Sequence, residues 1–286
     1  MVIGVDLGGT NIRAAIEKGG TIHNLRKEPF KTMASLDESL EQFISFVRPL
    51  LNADVKGIGI GVPSVVDLET GTVHNVMNIP AWECVPLKNI LEEEFELPVW
   101  INNDVNCFIL GEHQYGLVRK YKNAVGLACG TGLGSGIIIN NQLYPGKNCG
   151  AGEVGLLPYR EHTVEYYASG NFFPTFYDFS AAEAYQQALL QDHRALAAWE
   201  EFGMHFGQAI KNVVLTYDPE AVVLGGSLSK AFQFFSPSLR ASFSDFPFPK
   251  SIERLKIFVS EDENISILGA AALVHTNQNA SSKVEY

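Results

Sequence analysis

The chain writes one local pattern twice. Ile3-Gly4-Val5-Asp6-Leu7-Gly8-Gly9-Thr10-Asn11-Ile12-Arg13 runs from apolar strand-forming residues into glycines, hydroxyl and amide side chains, and then back into a strand pattern. A shift of about 121 positions lays Val5 to Ile12 over Gly126-Leu127-Ala128-Cys129-Gly130-Thr131-Gly132-Leu133, and Ile16 over Ile137. Both copies read strand, Gly-Thr turn, strand. Each half must then build a sheet from the same opening hairpin, so the sequence predicts two related α/β lobes with mixed sheets.

The turns themselves have a chemistry. Glycines at 8 and 9 let a ligand approach the backbone, Thr10 and Asn11 add neutral donors, and Asp6 supplies a carboxylate for Mg²⁺. An ordinary hairpin turn is the competing reading of the first copy. The second copy holds four glycines in seven residues, from Gly130 through Gly132 and Gly134 to Gly136, which is more than a hairpin needs. Two phosphate-facing turns on related halves suggest a nucleotide clamped between lobes.

Composition narrows the partners. With 286 residues, 46% of them hydrophobic, the chain can fill a core in each lobe. A net charge of −11 without a Lys/Arg cluster argues against nucleic acid, and it means that a phosphate ligand must rely on backbone amides, Mg²⁺ and a few local cations. Met1-Val2-Ile3 has no basic leader pattern, and no apolar run approaches the ~20 residues a bilayer requires. A cytoplasmic protein with no membrane association is expected. Cys84, Cys107, Cys129 and Cys149 lack CxxC spacing and read as free thiols.

Along the chain, Ser35-Leu36-Asp37-Glu38 has capping-box spacing ahead of a helical stripe through Leu51. Val55 to Pro63 reads as a strand and Pro86 to Phe95 as a helix. The short strand Val99-Trp100-Ile101 meets a helix at Asn102-Asn103-Asp104. Pro145 to Asp178 reads as loop-rich, and Ala181 to Tyr217 as helical until Asp218-Pro219. Ala221 to Leu224 is a buried strand ending in Gly225-Gly226, Ile267 to His275 is a last helix, and Thr276 to Tyr286 is a polar tail.

Asp104 is the strongest catalytic candidate. A carboxylate where a strand meets a helix N-terminus can face a cleft and accept a proton from an attacking hydroxyl. The alternative is that it merely caps the helix.

Five motifs now stand in order: Asp6 to Arg13, Asn103-Asp104-Val105-Asn106, Gly130 to Gly134, Gly150-Ala151-Gly152-Glu153-Val154-Gly155 and Leu224-Gly225-Gly226. Their order and spacing over nearly the whole chain resemble the ROK family of bacterial sugar kinases and repressors. The resemblance implies an actin-like, hexokinase-like (ribonuclease H-like) duplicated two-lobe fold with a central cleft that closes over sugar and MgATP. The expected lobes are 1–108 with 268–286, and 109–267. The implied activity is glucokinase-like: ATP-dependent phosphorylation of a hexose or N-acetylhexosamine at the 6-hydroxyl, by a homodimer. By the same resemblance Asp104 is the general base, while Asn78, Asn103, Glu153 and Glu165 bind sugar, with Trp82 either beside the sugar or packed in a core. Gly8, Gly9, Thr10, Asn11, Gly130, Thr131, Gly132 and Gly134 hold phosphates, Asp6 reaches Mg²⁺ through water, and Gly225-Gly226 lets adenosine lie on backbone. Arg13 either neutralises phosphate or pairs with a surface acid.

The chain also departs from the family pattern. Leu156 occupies the place of a histidine that contacts both sugar and zinc, and the interval Leu157 to Val164 lacks the family's cysteine segment. His162 alone cannot supply the four ligands of structural zinc, so a zinc-free protein is expected. Sugar selection is open at Leu156. Two other functions compete. A repressor would carry a helix-turn-helix before the first motif, where only five residues precede Asp6. A non-catalytic sugar or nucleotide sensor would fit the lost histidine, against the intact Asp104 and Glu153.

Overall fold

The opening hairpin forms the middle of a five-stranded mixed sheet. In the computed structural model, which describes residues 1–76 and 78–281, β1 (Val2–Leu7) pairs antiparallel with β2 (Asn11–Lys18), and β2 with β3 (Thr21–Pro29). Helix α1 (Leu36–Val47) then leads to β4 (Ile58–Val62), parallel to β1. Ser35 caps α1 in a complete capping box with Glu38. A small sheet of β5 (Val65–Asp67), β6 (Thr72–His74) and β7 (Cys84–Val85) follows, then α2 (Leu87–Phe95) and the parallel edge strand β8 (Val99–Asn103). Strand β8 runs directly into α3 (Asp104–Gln114). Alternation puts Ile3, Val5, Leu7, Ile58, Ile60, Val62, Val99 and Ile101 into one core with Phe43 and Phe46 of α1.

The second half repeats the plan. Strands β9 (Ala124–Cys129), β10 (Leu133–Ile139) and β11 (Gln142–Leu143) open it. The expected loop-rich stretch holds a two-stranded hairpin, β12 (Pro158–Tyr159) and β13 (His162–Thr163), and two short helices, α4 (Val164–Tyr167) and α5 (Phe172–Tyr177). The helical stretch after Ala181 is two helices, α6 (Ala181–Leu189) and α7 (His193–Tyr217), because Gln191 turns to φ 62° and Asp192 caps a new start. Strand β14 (Ala221–Gly225), helices α8 (Phe232–Ala241) and α9 (Pro249–Arg254), and strand β15 (Lys256–Val259) complete it. The sheet order β11-β10-β9-β14-β15 matches β3-β2-β1-β4-β8, with one antiparallel and one parallel neighbour for β9 as for β1.

The repeat is offset more finely than a single shift allows. Four residues lie between the paired Leu7 and Ile12, and three between the paired Cys129 and Leu133. The second turn is therefore one residue tighter, and β9 answers β1 at an offset one residue larger than β10 answers β2.

Two compact units result. One contains Met1–Lys120, Leu143–Ala151 and the chain from Asp262; the other contains Tyr121–Gln142 and Gly152–Glu261. The limits expected at 108/109 and 267/268 fall within α3 and the last helix, α10 (Ile265–Ser281), and neither helix divides there. Of the expected polar tail, residues 282–286 lie outside the described residues.

Helix α10 lies against the first sheet and α3 backbone to backbone. A Cβ on Gly4 or Gly59 would collide with the carbonyl of Ile267 or Ala270, and one on Gly111 or Gly269 with that of Ile265 or Cys107. Side chains at these positions would hold the helix off the sheet.

Candidate active site

In the first unit, the β1–β2 turn is closed by the Gly8 N–H, which donates to the Asn11 carbonyl at 2.9 Å. Asn11 Nδ2 donates to Thr10 Oγ1 at 2.8 Å. Asn78 lies against this turn: a Cβ on Gly9 would meet its Nδ2 at 2.5 Å. Asp6 and Arg13 face each other on paired strands, with Arg13 Nε and Nη2 donating to Asp6 Oδ2 at 3.0 and 2.5 Å. Arg13 Nη1 donates to the Glu263 carbonyl at 2.6 Å. Arg13 thus pairs with an acid, though not one at the surface: the Asp6 side chain is 13% exposed.

At the β8–α3 junction the cap is Asn103. Its Oδ1 accepts from the N–H of Val105 at 2.9 Å and of Asn106 at 3.3 Å. Asp104 is the first residue of the helix, where the aligned peptide dipoles favour a carboxylate. Asp104 Oδ1 also accepts the Val105 N–H at 2.9 Å, so the two neighbouring side chains share the cap. Asn103 Nδ2 donates to the Ser64 carbonyl at 3.4 Å.

Beneath this junction lies a group that the sequence did not single out. Asn102 Oδ1 accepts from Asn103 N–H at 2.9 Å, Asn106 Nδ2 at 2.9 Å and Cys149 Sγ at 3.2 Å. Burial holds the Cys107 thiol far above its usual pKa, and the Asp104 and Asp6 carboxylates add to that shift. Trp82 is packing: it is fully buried, donates Nε1 to Ser39 Oγ at 2.8 Å and meets Phe30 edge-on at 6.1 Å.

In the second unit, Gly130 N–H donates to the Gly132 carbonyl at 2.9 Å, and Gly170 N–H donates to the Gly130 carbonyl at 2.7 Å. Glu165, on α4, reaches the same turn: its Oε2 accepts the Leu133 N–H at 2.7 Å, and a Cβ on Gly132 would sit 2.6 Å from that oxygen. The Ser135 hydroxyl donates to the Gly152 carbonyl, fixing the residue before Glu153. Glu153 is held above the ordinary glutamate pKa, first by lost hydration and then by the Glu165 carboxylate. Leu156, on the turn after Glu153, is 59% exposed. Gly226 follows β14 at φ 82°, where a Cβ would strike the backbone of Cys129, so only glycine lets these strand ends lie side by side. A cavity of about 210 Å³ opens beside it, lined by Tyr185, Gln186, Trp199, Ser227, Leu228 and Lys230 among others.

Each unit thus gathers one group of the expected residues. Among the described residues, no cluster of three or more His, Cys, Asp or Glu side chains is placed to hold a metal ion. The profile of the ROK family matches residues 2–277. The chain belongs to the ROK family. This ROK protein is 27% identical to a glucokinase of Halalkalibacterium halodurans over 98% of its own length and 97% of that protein's. It is 28% identical to a xylose repressor of Caldicellulosiruptor bescii, covering 96% of this chain and 77% of the repressor. Among solved structures, a ROK family glucokinase from Streptomyces griseus in complex with glucose and AMPPNP superposes with a TM-score of 0.80 at 24% identity, over 95% of this chain and 98% of that one. The mixed α/β, hexokinase-like fold read from the ROK motifs is the fold of this protein. None of its described helices is long and apolar enough to cross a membrane.

Proposed function

We propose that this chain, a sugar kinase of the ROK family, transfers the γ-phosphoryl group of ATP to the 6-hydroxyl of a hexose or N-acetylhexosamine, with Asp104 as general base. The observation that carries the reading is the start of α3: Asn103 takes the N–H groups of Val105 and Asn106, and Asp104, whose Oδ1 shares the Val105 N–H, stands at the positive end of the helix dipole. As the sugar oxygen bonds to phosphorus and the bridging bond to ADP breaks, the hydroxyl proton passes to the Asp104 carboxylate.

The other residues position the reactants. Glu153 and Glu165 accept sugar hydroxyls, and Asn78 and the remaining N–H of Asn103 add contacts. The N–H groups of Gly8 and Gly130 close their own turns. The phosphate-facing donors are therefore assigned to Gly9, Thr10, Asn11, Thr131 and Gly132, with Gly134 on the strand that follows. Asp6 faces the metal of the MgATP substrate through water, with Arg13 steadying its other oxygen. The adenosine lies on Gly225-Gly226, its base in the cavity beside Ser227, where Tyr185 and Leu228 offer apolar walls.

The test mixes the protein with MgATP and a panel of glucose, mannose, fructose, N-acetylglucosamine and N-acetylmannosamine while ADP is followed. Turnover on one or more sugars is expected. Silence on all of them, with calorimetric sugar binding intact, identifies the sensor instead.

A further inference from the structure

Glu153 and Glu165 are joined by one short segment, and that segment is pinned to the longest helix of its unit. Between them the chain forms the β12–β13 hairpin, and Glu165 lies in the helix that starts where the hairpin ends. The Tyr159 hydroxyl meets His205 Nδ1 of α7 at 3.1 Å, and the rings lie 5.7 Å apart. Tyr167, on the same helical turn as Glu165, packs against Tyr159 at 5.4 Å and His205 at 5.1 Å. Arg160, at the hairpin tip, places its guanidinium 5.5 Å from the Tyr159 ring and 5.6 Å from the Tyr167 ring.

The polar pairing has a definite sense. His205 is 2% exposed, and burial first, then the Arg160 charge, keeps its imidazole below the usual histidine pKa despite Glu201. A neutral ring has one N–H and one acceptor. The Glu201 carboxylate, with Oε1 3.7 Å from Nε2, favours the N–H on that side by charge, which leaves Nδ1 to accept the Tyr159 O–H. Tyr159 is thereby held to a rigid element by a bond that a phenyl ring cannot make.

We propose that Tyr159 and His205 are positioning residues for the two glutamates, fixing the hairpin so that both carboxylates meet the sugar together. This rests on the reading of Glu153 and Glu165 as sugar ligands. Neither Tyr159 nor His205 touches the reactants. Their loss acts first on sugar affinity and reaches the second phosphate-facing turn only through the hydrogen bond from the Leu133 N–H to Glu165.

Four variants, Y159F, H205L, H205Q and E165Q, are compared by steady-state kinetics on whichever panel sugar the wild type turns over fastest, D-glucose first. Y159F and H205L are expected to raise the sugar KM roughly three- to tenfold, the scale of one neutral hydrogen bond, with kcat within about twofold and the MgATP KM changed less than the sugar KM. H205Q keeps an acceptor and is expected to recover most of the loss. An unchanged sugar KM in Y159F, or equal damage to the sugar and MgATP KM values, overturns the inference, and Y159F decides it if H205L fails to fold. If E165Q also leaves the sugar KM unchanged, or no sugar is phosphorylated, the sugar-ligand reading falls and takes the inference with it. If E165Q raises the sugar KM and Y159F does not, the inference alone falls.

Discussion

Arg13 grips a single oxygen of Asp6, through Nε at 3.0 Å and Nη2 at 2.5 Å, across the first pair of β-strands. The pairing keeps a carboxylate oriented beside a turn assigned to phosphate, and it keeps a cation there in an acidic chain. Arg13→Ala is expected to raise the MgATP KM roughly five- to tenfold while sparing the sugar KM. Arg13→Lys restores the charge without the two-pronged grip and recovers only part of the loss. Equal changes in both KM values count against the assignment.

Asp104→Asn removes the base and leaves the helix cap in place, because Asn103 keeps its share and the amide keeps an acceptor oxygen. A fall in kcat of about 10²- to 10⁴-fold is expected, with an unchanged melting temperature. Asn103→Ala should instead cost about 1 kcal/mol of stability. Thermal melts and ADP release on the two variants separate these outcomes.

The acid limb of sugar binding should sit high. Glu153 is raised above the ordinary glutamate pKa, so protonation begins at a higher pH than for a solvated glutamate, and the acceptor is lost as pH falls through that raised value. The sugar KM is expected to climb on acidification while the MgATP KM stays level. Glu165→Gln removes the repulsive contribution, so the midpoint of the climb moves to lower pH. A midpoint that stays put contradicts the coupling of the two carboxylates.

A single methyl group at Gly59 should unseat the last helix. The added Cβ overlaps the Ala270 carbonyl, so one of the two backbones must shift. Gly59→Ala is expected to cost about 1–3 kcal/mol, read as a melting temperature lower by roughly 5 °C. Gly150→Ala, where a Cβ meets nothing within 4 Å, is the control and should stay within about 0.5 kcal/mol of wild type.

Purified protein should carry no stoichiometric zinc, and chelation should leave its activity with added MgCl₂ intact. Elemental analysis checks the first expectation and an assay after EDTA dialysis the second. Tightly bound zinc at one per chain overturns both.

What the sequence made legible was carried by short-range chemistry. The two glycine hairpins, the Ser35–Glu38 capping box and the strand-to-helix step at Asn102–Asp104 are signalled by residues within a few positions of one another. Strand β3 was not visible, because Thr21 to Pro29 is mostly polar and becomes a strand only by pairing with β2. The break after α6 was hidden for a different reason: Asp192 reads as an ordinary surface residue of a continuing stripe until Gln191 is seen to turn left-handed. In the site, Asp104 stood out as the general base with capping as the alternative, whereas the part that Asn103 takes in the cap shows only in the hydrogen bonds. The Tyr159–His205 contact spans 46 positions and has no local sequence signal at all.

The seating of α10 on Gly4 and Gly59 also has a consequence in time. On a ribosome the strands of the first sheet emerge early, yet the helix that covers them is encoded after the whole of the second unit. All of Tyr121–Gln142 and Gly152–Glu261 is thus synthesised while the Asp6 strand still waits for its cover. The unit that holds Asp104 is begun first and can be completed only last.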